Sequence, residues 1–224
     1  MAKKTKKTKK TKKTKKTKKH CKVPQMWKGK TVIVIGGGPS IKNMDLSSVH
    51  NCRVIGVNNS YALGDWVDVC FWGDWKWFNW HKDELKKFNG LVVTNCPKKN
   101  KIDKFVKVVK RGNRPWSRSQ KKISWNGNSG TAAISLAGLF GANKIILLGF
   151  DMKVGENGEH HWHKEHPVPS KTSAYSRFKK RFKRMKGGMD RDTDPIIINA
   201  TPNSGLTVFP MMTLKEALEY DTGE

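Results

Sequence analysis

The sequence predicts an α/β fold: a single three-layer, Rossmann-like domain with a mainly parallel sheet, preceded by a disordered basic N-terminal arm. Three observations carry that reading. Apolar runs of four to six residues recur along the chain, each suited to a strand buried on both faces. Helix-forming stretches separate several of them, the alternation that gives parallel βαβ units. The first 22 residues hold 13 lysines and no acid, so they have nothing to contribute to a core.

The arm comes first. Residues 3–19 repeat Lys-Lys-Thr, with no apolar side chain to bury and with like charges that repel one another. The chain carries 45 Lys and Arg against 18 Asp and Glu, a formal net charge of +27. Without residues 1–22, 32 basic residues over 18 acidic ones leave positions 23–224 at +14. Such charge attracts a polyanion, nucleic acid foremost, through counterion release. It gives proximity without sequence readout, and a solubilising tail with no selected partner is the plainer alternative.

Lys30–Ile35 (KTVIVI) reads as a buried strand entering the turn Gly36-Gly37-Gly38-Pro39-Ser40. Arg53–Val57 is a second strand, ending at Asn58-Asn59-Ser60, with a third over Val67–Trp72 and a fourth over Leu91–Thr94. The block Phe71–Trp80 holds four tryptophans. Trp72, Trp75 and Trp80 are candidates for stacking a sugar or an exposed base, although a helix packing at least two of its aromatics into the core is the simpler expectation. Residues 98–122 are polar and basic, expected to be partly helical and otherwise loop, a possible lid. Asn126-Gly-Asn-Ser-Gly130 is a second glycine-bearing turn, opening a small-residue helix over Thr131–Phe140. Lys144–Leu148 is a strand ending in Gly149-Phe150-Asp151. In Arg177–Lys186, Phe178, Phe182 and Met185 recur at helical spacing with cations between them, giving an apolar inner stripe and a basic outer face. Pro195–Asn199 is the last strand, and Thr213–Tyr220 a closing helix whose Thr213 and Glu216 form a capping box.

Several classes are excluded. No apolar run approaches the roughly 18 residues of a membrane span. The basic N-terminus lacks the apolar stretch of a secretory signal. Four cysteines (Cys21, Cys52, Cys70, Cys96) without close pairing do not form a disulfide framework, and a reducing cytoplasm is the expected compartment.

In a parallel sheet, ligands bind beyond the carboxyl ends of the strands. Gly36, Gly37, Gly38, Pro39, Ser40, Asn58, Asn59, Asp74, Asn128, Ser129, Gly130 and Asp151 should converge there. Backbone N–H groups of the glycine turns can approach a phosphate directly. GGGPS matches neither the dinucleotide fingerprint nor the Walker A pattern, so the expectation of a nucleotide-type ligand rests on two such turns at one sheet edge. The segment Glu159–Pro167 holds four of the seven histidines. His160, His161, His163 and His166 are candidates for a general base or acid, for metal ligation, or for a surface loop with no ligand. Asp74 and Asp151 would orient a substrate hydroxyl or a cation, or serve as helix caps. Arg114, Arg118 and Lys121 from the lid, with Arg177 and Arg181 from the basic helix, would face an anionic substrate.

The ordered set VIVIGGGPSI, VNNSY, GNSGTAAISLAGLFGANKIILLGFDM and INATPNSGLTVFP resembles a Rossmann-like superfamily that includes the family-42 sialyltransferases and the 6-hydroxymethylpterin pyrophosphokinase-like domain. With HWHKEHP after GFDM it is most similar to phage-encoded members. The resemblance covers roughly residues 30–218. It implies a nucleotide-bound donor with Gly36, Gly38, Pro39 and Ser40 around phosphate or ribose, and Asn58 on the donor. Asn128, Ser129, Gly130 and Thr131 would line the nucleotide pocket, and Asn199, Thr201, Pro202, Asn203 and Ser204 would sit by the donor phosphates. It also implies a histidine base downstream of the Gly-Phe-Asp strand end.

Three functions compete. A glycosyltransferase would move a sugar from a nucleotide sugar to a hydroxyl acceptor, including phage DNA with a hydroxylated base. A pyrophosphokinase-like enzyme would move diphosphate from ATP to a small hydroxymethyl compound, with Mg²⁺ on acids such as Asp74 and Asp151. A non-catalytic nucleic-acid-binding or virion-assembly protein would need only the charge.

Overall fold

The computed structural model describes residues 19–163 and 171–222. Most of the Lys-Lys-Thr arm and His166 lie outside the described residues.

In chain order the elements are β1 (Thr31–Ile35), β2 (Arg53–Val57), β3 (Val69–Trp72), α1 (Trp75–Leu85), β4 (Leu91–Thr94), β5 (Lys107–Val108), β6 (Lys110–Gly112), β7 (Lys122–Ser124), α2 (Ser129–Phe140), β8 (Lys144–Leu148), α3 (Ser173–Lys186), β9 (Ile196–Asn199) and α4 (Leu214–Glu219). Seven strands form one sheet in the order β5-β4-β3-β2-β1-β8-β9, and every pairing in it is parallel. The chain walks outward from β1 to β5, then returns to lay β8 on the other side of β1. The switch point therefore lies between the carboxyl ends of β1 and β8, where a doubly wound sheet leaves a crevice.

Strand alternation builds the three layers. Val32 and Val34 of β1 join a cluster with Ile134, Leu136, Phe182 and Met185 from α2 and α3, whereas Ile33 and Ile35 join Val54, Ile146, Leu148 and Ala217 on the opposite face. All of these side chains are fully buried, and truncating an Ile, Leu, Met or Phe among them to Ala costs about 2–5 kcal/mol. A third cluster, with Trp72, Trp77, Phe78 and Leu85, packs α1 on the β3–β5 side.

α2 runs antiparallel to the strands, so its N-terminus opens at their carboxyl edge. Asn128 caps it, its Oδ1 accepting the Thr131 N–H at 2.8 Å. Gly141 ends it in the left-handed region (φ 96°). The helix lies between the sheet and other packed elements, which is why it is made of small residues. A Cβ on Gly138 would sit 2.6 Å from the Trp116 ring. α4 begins with the expected capping box between Thr213 and Glu216, and α3 buries Phe182 and Met185 as its spacing predicts.

Residues 98–122 differ from the loop-and-helix expectation. β5 completes the edge of the main sheet, β6 pairs with β7 in a separate two-stranded parallel sheet, and Val106, Val108, Val109 and Trp116 are buried. These apolar residues are spaced among lysines, so composition hid them. The folded body also begins before residue 23, because Cys21 donates its N–H to the Val108 carbonyl at 2.8 Å on that edge. Among the described residues no helix is long and apolar enough to cross a membrane, and all four cysteines are free.

Candidate functional site

β1 and β8 approach so closely at their carboxyl ends that neither can carry a side chain there. A Cβ on Gly36 would lie 2.6 Å from the Gly149 carbonyl oxygen, and one on Gly149 would lie 2.8 Å from that of Gly36. Gly149 also has φ 69°, which favours glycine on backbone grounds alone. The chain then turns away from β1 through Gly38, whose N–H donates to the Gly149 carbonyl at 2.9 Å. The strand ends thereby hold the glycine turn flat against the sheet edge.

Asp151 locks this turn. It is buried, its Oδ1 accepts the Ser40 N–H at 3.0 Å, and its Oδ2 accepts the Ser40 hydroxyl at 2.9 Å. Burial pushes its carboxyl above the ordinary range, and the Ser40 hydrogen bonds oppose that rise. Behind it, Ser204 Oγ donates to the Phe150 carbonyl at 2.6 Å, and Gly205 N–H donates to the Asp151 carbonyl at 2.7 Å. Asp151 and Ser204 are thus positioning residues. Asn203, in the left-handed region at φ 50°, lies exposed outside the cleft.

The cleft that opens beyond these strand ends has a volume of about 820 Å³, within the ordinary range for a small-molecule site. Gly36, Gly37, Gly38, Pro39, Asn58, Asn59, Asp74, Asn128, Ser129, Gly130 and Asp151 all line it. Ser40 and Thr131 stand behind this lining, Ser40 on Asp151 and Thr131 with its hydroxyl on the Asn128 carbonyl at 3.0 Å. Asn58 holds a left-handed backbone (φ 53°), and its side-chain Oδ1 is buried without a hydrogen-bond partner. Asn128 Nδ2 is likewise buried and unpartnered. One acceptor and one donor are therefore buried unsatisfied in residues that line the cleft, at a cost of about 1–3 kcal/mol each. Asn59 is already engaged, accepting the Trp77 Nε1–H at 2.6 Å.

The histidine loop forms the facing wall. His160, His161 and His163 line the cleft, and Trp162 pins the loop across the glycine turn by donating its N–H to the Gly37 carbonyl at 3.2 Å. The His161 and His163 rings stack with centroids 5.2 Å apart. His160 Nδ1 meets the Tyr175 hydroxyl at 2.8 Å, so a residue of α3 orients that imidazole. Burial, reinforced by the charge of Asp151, raises the Tyr175 phenol above its ordinary value. Tyr175 was not expected here, because one tyrosine at the start of a basic helix carries no signal by itself.

The predicted cations divide. Arg177 lines the cleft, and Arg181 packs against Gly127 beside it. Arg114, Arg118 and Lys121 do not line it. Arg118 instead grips Asp194 with two guanidinium nitrogens, because that carboxylate is buried and also accepts the Trp116 Nε1–H at 2.7 Å. Arg111 takes the inner position that those three were expected to fill. Of the tryptophans offered for stacking, Trp72 is fully buried, whereas Trp75 and Trp80 line the cleft.

The acids expected to hold Mg²⁺ are engaged elsewhere. Both oxygens of Asp151 bind Ser40, and Asp74 Oδ1 caps α1 by accepting the Lys76 N–H at 2.6 Å. Among the described residues no cluster of three metal-ligating side chains forms. With both Asp151 oxygens and one Asp74 oxygen already accepting N–H or O–H donors, these two acids are a poor donor set for a resident cation.

No protein-family model matches the chain, and no curated protein resembles it in sequence. In three dimensions it is similar to the MAf glycosyltransferase from Magnetospirillum magneticum AMB-1, with a TM-score of 0.59 over 89% of the chain at 13% identity. The matched region spans 35% of that protein's length. At this identity the likeness is one of fold.

Proposed function

We propose that the chain transfers a glycosyl group from a nucleotide sugar to the hydroxyl of an acceptor. The observation that carries this reading is one cleft lined by a flat glycine turn, two unsatisfied asparagine amides and three imidazoles. The backbone N–H of Gly37, the one turn donor not already spent on a carbonyl or on Asp151, suits with the N-terminus of α2 the phosphates of a nucleotide. The Asn58 and Asn128 amides suit ribose or base. His160, His161 or His163 takes the acceptor's proton as the acceptor oxygen bonds to the anomeric carbon. The bond from that carbon to the donor phosphate breaks, and the nucleotide departs with both electrons. A glycosyltransferase as fold neighbour is in keeping with this chemistry. The charge of +14 on residues 23–224 favours a nucleic-acid acceptor with a hydroxylated base.

The test is a thermal-shift screen of uridine, guanosine and cytidine nucleotide sugars, followed by nucleotide release assays with hydroxymethylated DNA. A ligand at about 100 times its Kd adds about 2.7 kcal/mol to stability, a readily measured rise in Tm. Absence of any shift with every nucleotide sinks the donor assignment. Turnover on glycan or lipid, but not on DNA, removes the nucleic-acid acceptor.

A further inference from the structure

Arg111 is a half-buried cation with no carboxylate opposite it. Its Nε–H donates to the Asn95 carbonyl at 3.0 Å and an Nη2–H to the Gly73 carbonyl at 3.1 Å. The guanidinium lies 3.7 Å over the centroid of the Trp125 ring. Among the described residues no acid reaches it at salt-bridge distance. Burial pulls the guanidinium below its ordinary value, yet an arginine stays charged. Two backbone carbonyls, the Asn95 Oδ1 at 3.5 Å and an aromatic face fix its orientation through Nε and Nη2, and none of these bonds uses Nη1. A desolvated, pre-oriented cation without a counter-ion lacks an anion.

Its place in the sheet says which anion. Gly73 and Asn95 follow β3 and β4, two and three strands from β1. Neighbouring strands are about 4.8 Å apart, so Arg111 is held roughly 10 Å or more along the edge from the glycine turn. A diphosphate seated on that turn does not extend so far. The same half of the cleft holds Trp75, Trp80, Lys76 and Lys98, and Lys98 Nζ lies 5.9 Å from the centre of the Trp75 ring. Asp74 lies there too, but its Oδ1 is taken by the Lys76 N–H.

We propose that the Arg111–Trp125 pair is the anion subsite of the acceptor, taking a phosphate of a single-stranded nucleic-acid segment whose neighbouring bases stack on Trp75 and Trp80. The inference rests on the glycosyl-transfer reading for the word acceptor, and the binding site itself stands apart from it. Aromatic faces interleaved with cations are the recurring means of holding a single strand without sequence readout. Placing the bases there brings a base-borne hydroxyl towards the donor half of the cleft.

The experiment measures binding of fluorescent oligothymidylate, six nucleotides long, to the full chain by anisotropy, and of UDP by calorimetry. Salt of about 0.3 M screens the lysine arm. Arg111→Met should weaken the oligonucleotide about tenfold, the value of one charged hydrogen-bonded contact, with UDP changed less than about twofold. Trp80→Ala, at a position 37% exposed, should weaken the oligonucleotide about fivefold or more, with Tm followed alongside. Equal weakening of UDP and oligonucleotide by Arg111→Met overturns the proposal, because the arginine then serves the donor. An oligonucleotide affinity unchanged by both substitutions overturns it as well, as does displacement of the oligonucleotide by millimolar inorganic phosphate. If wild-type protein binds the oligonucleotide through Arg111 but no nucleotide sugar at all, the subsite stands and the glycosyl-transfer reading falls.

Discussion

Asp151 holds Ser40 with both carboxylate oxygens, at 3.0 Å to the N–H and 2.9 Å to the hydroxyl, across 111 residues of chain. An amide offers only one acceptor in its place. Asp151→Asn should therefore leave one Ser40 donor facing an NH₂ group, lowering stability by about 1–3 kcal/mol. The loss should depend on pH. Because the folded carboxyl titrates above its ordinary value of 3.8, its contribution is fully present below that pH and declines as pH rises through the folded value. Melting wild type and Asp151→Asn in parallel at pH 3 and pH 7 should show the larger gap at pH 3. A gap that widens toward pH 7 contradicts the assignment.

Gly38→Ala tests the turn from the other side. The new methyl would fall on Asp151 Oδ2 and 2.6 Å from the Gly149 carbonyl oxygen, which is backbone and cannot step aside. Overpacking of this kind costs about 1–3 kcal/mol. Calorimetric titration should show nucleotide affinity falling together with Tm. Since Gly38 has φ −67°, the cause is steric alone.

Tyr175→Phe removes the hydroxyl that meets His160 Nδ1. If His160 is the base, turnover should fall by about 10–100-fold with the KM for donor unchanged. A raised KM with unchanged kcat would give Tyr175 to substrate binding instead.

Asp194 carries more of the fold than its partner does. It accepts from Trp116, from Arg118 and from the Asp190 N–H, and its side chain is 5% exposed. Asp194→Ala should cost about 1–3 kcal/mol in denaturant melts, because it strands the indole N–H of buried Trp116. Arg118→Ala, at a side chain 54% exposed, should cost less than about 1 kcal/mol and leave nucleotide binding intact.

The periodic parts of this molecule were legible in sequence. β1, β2, β4 and β8 follow their apolar runs to the residue or within one, and the Thr213–Glu216 box closes as its spacing requires. The glycine turns and the asparagines after them converge because strand polarity alone sends them to one edge. Long-range pairing was not legible. Nothing local marks Arg118 for Asp194 or Tyr175 for His160, and Arg111 looks like its basic neighbours until Trp125 is folded beneath it. Residues 98–122 carry no strand signal in sequence, because their strands are two or three residues long and bracketed by lysines.

The pairing of β1 with β8 sets an order on synthesis. At about 5–20 residues per second, the glycine turn waits roughly 5–20 s for Asp151 to emerge. Until then β1 has one free edge, and Ser40 has no carboxylate to hold. No fragment ending before Gly149 possesses the crevice, because one of its two walls is the end of β8. The cleft is a late product of folding, and a truncated translation product lacks it however well its early strands associate.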